Sequence, residues 1–250
     1  MNIKILVATH KKYEMPKDDI YLPIHVGKEG KVDIGFIGDN TGENISLKNE
    51  NYCELTAAYW AWKNLDADYI GLAHYRRHFC VKKKGSKFAS IMTSSEAELL
   101  CKNYDIIVPR KRKYYIESNY SHYIHAHEKE GLSLLYNIIQ NKYPEYRQAY
   151  ELVMNSTSAH MFNMFIMKKE YFDKYSKWLF DILFEIEKNL DISSYSIYEA
   201  RVFGFISELM FDIWLITNEV KYKETKVMYM EKQNWIVKGG NFLKRKFVRK

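Results

Sequence analysis

Residues 66–79 read DADYIGLAHYRRHF. An acidic pair, Asp66 and Asp68, leads into an apolar run from Tyr69 to Ala73, and the run empties onto His74, Tyr75, Arg76, Arg77 and His78. A short apolar run with polar ends predicts a buried strand. In open α/β sheets, ligands bind in the crevice beyond the carboxyl ends of the strands. Two Arg and two His at that edge suit a phosphorylated ligand, because guanidinium meets phosphate oxygens two at a time. The same residues also suit a surface ion-pair patch, which would contribute little.

Three further groups carry chemistry. The loop 35–46 is rich in glycine but lacks both the G-x-G-x-x-G spacing and a Lys-Ser/Thr ending. Its Asp39, Asn40, Thr41 and Asn44 could bind a base or sugar, or could simply build a turn. His122, His125 and His127 fall within six residues, beside Glu128 and Glu130. Imidazole and carboxylate are ordinary metal ligands, but no H-E-x-x-H is present, and polar contact with a sugar is the other reading. Arg201 and Glu208 are seven positions apart, two helical turns, and so share a face. A carboxylate facing a cleft serves as general base when burial lifts its pKa toward neutrality; a structural Arg–Glu pair would have the same spacing. Glu199 lies nearby on another face, and Asp191 lies in the polar loop before that helix. His160 and Asn163 sit at the entry of an apolar run.

The elements that must position these residues follow from periodicity. Strands are predicted over Ile3 to Ala8, Tyr21 to Val26, 69–73, and Asp105 to Pro109, where proline stops the last one. Helices are predicted over Glu54 to Leu65 and Glu96 to Lys102. Strand, helix and strand in succession imply a parallel βαβ arrangement. From Tyr120 the pattern turns helical: Ser133 to Tyr143, then Pro144 to Met154 with proline in the first turn. A strand over Met161 to Met167 and helices over Glu170 to Asn189 and Tyr198 to Thr217 complete the series. No repeat or proline-rich linker interrupts it, so one α/β domain over 1–225 is expected, followed by a tail over 226–250.

With 250 residues, 47% of them hydrophobic, the chain can bury a full core. No apolar run spans a bilayer, the amino terminus lacks a signal-peptide layout, and three cysteines without metal spacing argue against a disulfide framework. These features point to a cytoplasmic, enzyme-sized domain. The net charge of +7 is concentrated at Lys82–Lys84, at Arg110–Lys113 and from Lys244 to Lys250. Such potential draws nucleic acid, anionic lipid or phosphorylated substrates alike. In the tail, Trp235, Ile236, Val237, Phe242, Leu243 and Phe247 add interfacial apolar groups, a mixture that suits an anionic membrane surface as well as a solvated terminus.

Seven linked blocks, VATHKKYEMP, YLPIHVG, IGDNTGENIS, NYCELTAAYWAWKN, YIGLAHYRRHF, MFNMFIMKKEYF and RVFGFISELMFDIWL, together resemble the DUF4422 family of bacterial glycosyltransferase-like proteins linked to capsule and exopolysaccharide synthesis. The resemblance implies a GT-A-like single domain, with a Rossmann-like nucleotide-binding half and a more helical acceptor half. It implies transfer of galactofuranose or galactose from a UDP-sugar, with inversion, to a lipid-linked or growing glycan. Most GT-A enzymes hold a divalent metal on an Asp-x-Asp at the end of a central strand. Here that strand ends in His74-Tyr-Arg-Arg77, and the Asp66/Asp68 pair sits at its other end. Cationic side chains are therefore expected to neutralise the leaving diphosphate, with no metal required.

On this reading the donor side comprises Thr9, His10, Lys11, Asp39, Asn40, His74, Arg76 and Arg77. The acceptor side comprises His127, His160, Asn163 and Arg201. Glu208 is the expected base, with Glu199 and Asp191 in reserve. The protein would work in the cytoplasm, peripheral to the inner face of the membrane, without binding nucleic acid. The other two readings are a nucleic-acid module built on the basic runs and tyrosines, and a metal-dependent hydrolase built on His122, His125 and His127.

Overall fold

The computed structural model describes residues 1–232. Its first strands are β1 (Ile3–Thr9), β2 (Tyr21–His25) and the short β3 (Ile37–Gly38), all parallel. Two helices, α1 (Asn49–Tyr52) and α2 (Leu55–Asn64), lead to β4 (Tyr69–His74), which runs parallel to β1 from Ile3↔Tyr69 to Ala8↔His74. Both strands are apolar on both faces because both faces are covered. Leu6, Ala8, Ile70 and Leu72 join the larger core, while Ile5, Val7, Tyr69 and Ala73 join the smaller one, as a period of two requires.

The chain then turns back as β5 (Arg77–Cys80), enters α3 (Ser94–Cys101) and forms β6 (Ile106–Pro109). Thr93 and Glu96 start α3 with a reciprocal capping box. Next come β7 (Arg112–Lys113), α4 (Asn119–Ala126), α5 (Glu130–Lys142), α6 (Arg147–Asn155) and β8 (Ser158–Ala159). The remaining elements are β9 (Phe165–Lys168), α7 (Lys169–Asn189), α8 (Val202–Thr217) and β10 (Tyr222–Tyr229). Residues of α2, α5, α6, α7 and α8 bury their apolar faces in the larger core. Ala97 and Cys101 of α3 pack in the smaller core on the opposite face.

The strand pairings close on themselves. β4 pairs antiparallel with β9, β9 with β6, and β6 parallel with β10; β10 pairs with β5, and β5 returns to β4 at His74↔Arg77. Because Arg77 also faces Tyr229, the circuit gathers His74, Arg77 and Tyr229 at the carboxyl edge of β4.

Several expectations change. The strand predicted from Met161 begins only at Phe165, because Phe162 and Asn163 are left-handed, with φ of 81° and 50°. Pro144 opens a 3₁₀ turn rather than an α-helix, and a second 3₁₀ turn, Glu199–Arg201, precedes α8. The tail boundary at 225/226 falls inside β10, and the tail's aromatic and basic residues from Trp235 onward lie outside the described residues. Among the described residues no helix is long and apolar enough to cross a membrane. Many of the aromatic rings are core: Tyr52, Tyr175, Phe203 and Trp214 are fully buried.

One buried clip ties α8 to the sheet. Asp212 accepts from His160 N at 3.0 Å and meets its Nδ1 at 2.5 Å, with Lys111 Nζ at 3.5 Å. Burial pushes this carboxyl upward, but the His160 hydrogen bonds and the Lys111 charge win and hold it below its ordinary value. Asp212→Ala is expected to lower stability by about 3 kcal/mol or more in urea denaturation at pH 7. In the wild type that contribution is present above about pH 4 and is lost as pH falls through the depressed folded value. A loss under 1 kcal/mol would show that the clip is dispensable.

Candidate active site

A cavity of about 700 Å³ opens at the carboxyl edges of β4 and β6. Its floor is the β4–β5 turn, which supplies His74, Arg76 and Arg77. One wall follows β6, where Pro109 ends the strand and Arg110, Lys111 and Arg112 come next; Lys226 and Tyr229 of β10 adjoin it. The other wall is built by α4 and α8, and Glu54, one residue before α2, sits between them. Among the described residues, seven Arg or Lys line this space against two carboxylates, Glu54 and Glu208. Such a lining suits a multiply charged anion, whose oxygens guanidinium groups can meet in pairs.

The carboxylates are fixed by the left-handed pair. Phe162 N donates to Glu208 Oε1 at 2.9 Å, and His74 Nε2 donates to Phe162 O at 2.5 Å. Asn163 Nδ2 donates to Glu54 Oε1 at 2.7 Å and to Gly204 O at 3.1 Å, while Ser207 Oγ donates to Asn163 Oδ1 at 3.0 Å. Burial pushes the Glu208 carboxyl up to about 7, and the charge of Glu54 adds to this; the Phe162 hydrogen bond, Arg77 and Arg112 only partly offset them. Burial likewise lowers the His74 pKa, so its ring is a neutral donor to Phe162 O. Arg77 lies 4.4 Å from the centre of the Phe162 ring, and Arg76 pairs with Glu231 at 3.5 Å.

His74, Arg76, Arg77, His127, Arg201 and Glu208 are thus brought together around one cavity. Other expected residues are elsewhere. His78, counted with His74 as a ligand contact, is fully buried in the core. Thr9 is buried and donates to Lys11 O at 2.6 Å, closing the turn after β1. His10 and Lys11 are exposed at the same sheet edge and pack against Tyr75, at 5.4 Å and 5.1 Å. They flank the cavity without lining it. Asp39 accepts from Gly27 N, Lys28 N and Ser46 Oγ, so both its oxygens serve its own loop. Asn40 is bonded to Glu29.

His160 is buried against Asp212 and Glu224, away from the cavity, and Asn163 stands behind the wall as a support. Asp191 is exposed in a turn where the Ser193 N–H holds its carboxyl below the ordinary value, which makes it a weak base. Glu199 meets His127 Nδ1 at 3.3 Å behind the wall and accepts from Glu128 N. His122 and His125 both turn to Glu117, at 3.1 Å and 2.8 Å, so the three histidines do not converge. Among the described residues no group of three or more His, Cys, Asp or Glu is arranged to hold a metal ion. At the amino end of β4, Asp68 accepts from Asn2 N at 2.6 Å, so the Asp-x-Asp pair does not fit a metal at the cavity.

Sequence reasoning overlooked Glu54, Tyr114, Phe162 and Tyr229. Glu54 had a signal, a carboxylate at a predicted helix start, but it read as a terminal residue. Arg110 and Arg112 were visible only as part of a basic run.

Against known proteins, the family described as "Domain of unknown function (DUF4422)" matches residues 4–219. Among solved structures, the chain is similar to the apo structure of WbbM, a bifunctional glycosyltransferase. The identity is 32% and the TM-score 0.85, over 93% of this chain and 46% of that one. The chain therefore spans about half the length of that neighbour. No curated protein matches.

The electrostatics of Glu208 make a prediction that is independent of any ligand. A carboxyl whose folded pKa lies above its unfolded value binds more protons in the native state between about pH 4.5 and 7. Native stability therefore falls across that window and stays low above it. Glu208→Gln keeps an acceptor for Phe162 N without the charge. It is expected to raise stability at pH 8 by up to about 3 kcal/mol and to leave it nearly unchanged at pH 4.5. Equal destabilisation at both pH values would contradict this electrostatic description.

Proposed function

We propose that this chain, which belongs to the DUF4422 family, is a glycosyltransferase that moves a sugar from a nucleoside-diphosphate donor to a hydroxyl of a glycan acceptor. The observation that carries the reading is Glu208, a carboxyl poised near neutrality in a cavity whose other charges are almost all positive. The similarity to a bifunctional glycosyltransferase over 93% of this chain supports it.

In this mechanism Arg76, Arg77 and Arg112 meet the diphosphate oxygens. The Glu208 carboxylate takes the proton of the acceptor hydroxyl as its oxygen bonds to the anomeric carbon. The bond from that carbon to the diphosphate oxygen breaks, and the electron pair leaves on the diphosphate, where the guanidinium groups stabilise the new charge. A single displacement of this kind inverts the anomeric centre. The uridine of a UDP-sugar would extend toward the exposed His10 and Lys11, which stand with Arg76 around the buried Tyr75 ring. Galactofuranose or galactose is the proposed sugar, and a capsular or exopolysaccharide chain is the proposed acceptor. The basic segment beyond residue 232 would draw the enzyme to anionic lipid, at roughly 1 kcal/mol per charge.

Two outcomes are expected. UDP should bind in EDTA by calorimetry, and the double change Arg76→Ala with Arg77→Ala should weaken it by about 2–4 kcal/mol. Binding that needs added manganese would overturn the role of the guanidinium groups. In a screen of sugar nucleotides against the host's lipid-linked glycan, kcat/KM should rise with pH through about 7, as Glu208 deprotonates. Glu208→Gln should lower kcat about 100-fold or more without weakening UDP binding, which should be equal or tighter because a negative charge is removed from the cavity. Full turnover in that variant would remove Glu208 from the chemistry.

A further inference from the structure

Between β7 and α4 the chain holds two large apolar side chains out in solvent: Tyr115 is 81% exposed and Ile116 54%. Their neighbours on both sides are anchored. Tyr114 N donates to Thr157 O at 2.8 Å, and its buried ring stacks on His122 at 4.0 Å. Glu117 is buried against His122 and His125, and Asn119 N donates to Ser156 O at 2.7 Å. Between these anchors Ile116 N donates to Tyr114 O at 2.7 Å, around a Tyr115 with φ of 61°. Such a bond about a left-handed residue closes a γ-turn of the rare, strained kind. Strain of this sort collects at functional positions. Arg112, Tyr114 and Asn119 line the cavity, while Lys113, Tyr115 and Ile116 lie outside that lining.

Charge restricts what meets this turn. Residues 110–120 carry four cations, Arg110 to Lys113, and one acid, Glu117. Because Glu117 is buried against two histidines, the segment's outward charge is positive. Arg110, Arg112 and Lys113 are exposed, and among the described residues only Lys111 of the four forms an ion pair, with Asp212. Two apolar side chains fall well short of the roughly 800 Å² per partner of a stable protein interface. They suffice at a bilayer surface, where tyrosine settles at headgroup depth and neighbouring cations meet anionic lipid. Since no described helix is long and apolar enough to cross a membrane, contact by these residues is peripheral.

We propose that the turn 113–116 is a docking point for an anionic lipid bilayer, with Tyr115 and Ile116 entering the headgroup region and Lys113 meeting lipid phosphates. This contact is separate from the basic segment beyond residue 232. Unlike that segment, it fixes an orientation: Arg112, Tyr114 and Asn119 stand within a few residues of the docked turn, so the cavity is held next to the membrane. The docking needs neither donor nor acceptor. On the glycosyl-transfer reading, it places the cavity where the hydroxyl of a lipid-linked glycan arrives.

Sedimentation of the full chain with vesicles of phosphatidylcholine, alone or mixed with phosphatidylglycerol, tests this. Binding should require the anionic lipid. The double change Tyr115→Asn with Ile116→Ser removes both apolar groups and leaves at 115 a residue that tolerates left-handed backbone. It should weaken vesicle binding about 10-fold at an unchanged melting temperature. Lys113→Gln should weaken it about 5-fold. In Tyr115→Trp, the fluorescence added over wild type should be quenched by brominated lipid, which reports on the turn and not on the carboxyl-terminal segment. Unchanged vesicle affinity in the double variant, or no quenching of the added fluorescence, would each overturn the docking point. If the double variant instead loses self-association in vesicle-free sedimentation, with vesicle affinity unchanged, the turn meets a second copy of the chain and the proposal fails. UDP affinity on the same samples should hold in every variant, and it tests the glycosyl-transfer reading separately.

Discussion

Two consecutive left-handed residues, Phe162 and Asn163, hold the cavity in shape. Left-handed backbone is unfavourable for a bulky side chain, by about 1–3 kcal/mol per residue, and persists only where the surroundings over-determine it. Here they do. The Phe162 N–H reaches Glu208 of α8, its carbonyl receives His74 from the end of β4, and Asn163 bridges Glu54, Gly204 and Ser207. Two backbone groups and one amide thereby tie β4, α2 and α8 to a single turn. A regular strand through these residues, as the apolar pattern suggested, would point successive groups to opposite faces and could not satisfy all of these partners.

The same turn sets the electrostatics. It holds Glu208 and Glu54 within each other's field, away from bulk water, and burial with like charge lifts Glu208 toward neutrality. Arg77 and Arg112 moderate that shift without cancelling it. A carboxylate directly paired with guanidinium would be acidic and inert as a base; one with no cation nearby would stay protonated at pH 7. The closed strand circuit supplies Arg77, which its pairing with both His74 and Tyr229 fixes in the β4–β5 turn, while Arg112 comes from β7, held by its pairing with β8.

Most of the scaffold is legible in the sequence, because its elements bury apolar faces. β4 and β6 are apolar runs, β1 is one apart from Lys4, and α5, α7 and α8 carry helical spacing. β10 escaped detection since Lys223, Glu224 and Lys226 are exposed and its place is set by pairing rather than burial. The rule that ligands meet strand carboxyl ends located His74, Arg76 and Arg77, and two-turn spacing located Glu208 with Arg201. It could not show that Asp39 and His160 spend their polar atoms on the fold itself, since partners 7 and 52 residues away are invisible to local pattern. Glu54 was missed for the converse reason: its role comes from Asn163, 109 residues away.

The central claim is that Glu208 ionises near neutrality inside a cavity built for an anion. Difference infrared spectroscopy, wild type minus Glu208→Gln, follows the protonated carboxyl directly as pH is raised. The account predicts a single carboxylic-acid band that disappears with a midpoint near 7. The midpoint should move upward when UDP is bound, because the diphosphate adds negative charge to the same cavity. A midpoint in the ordinary glutamate range, or one indifferent to UDP, would contradict it.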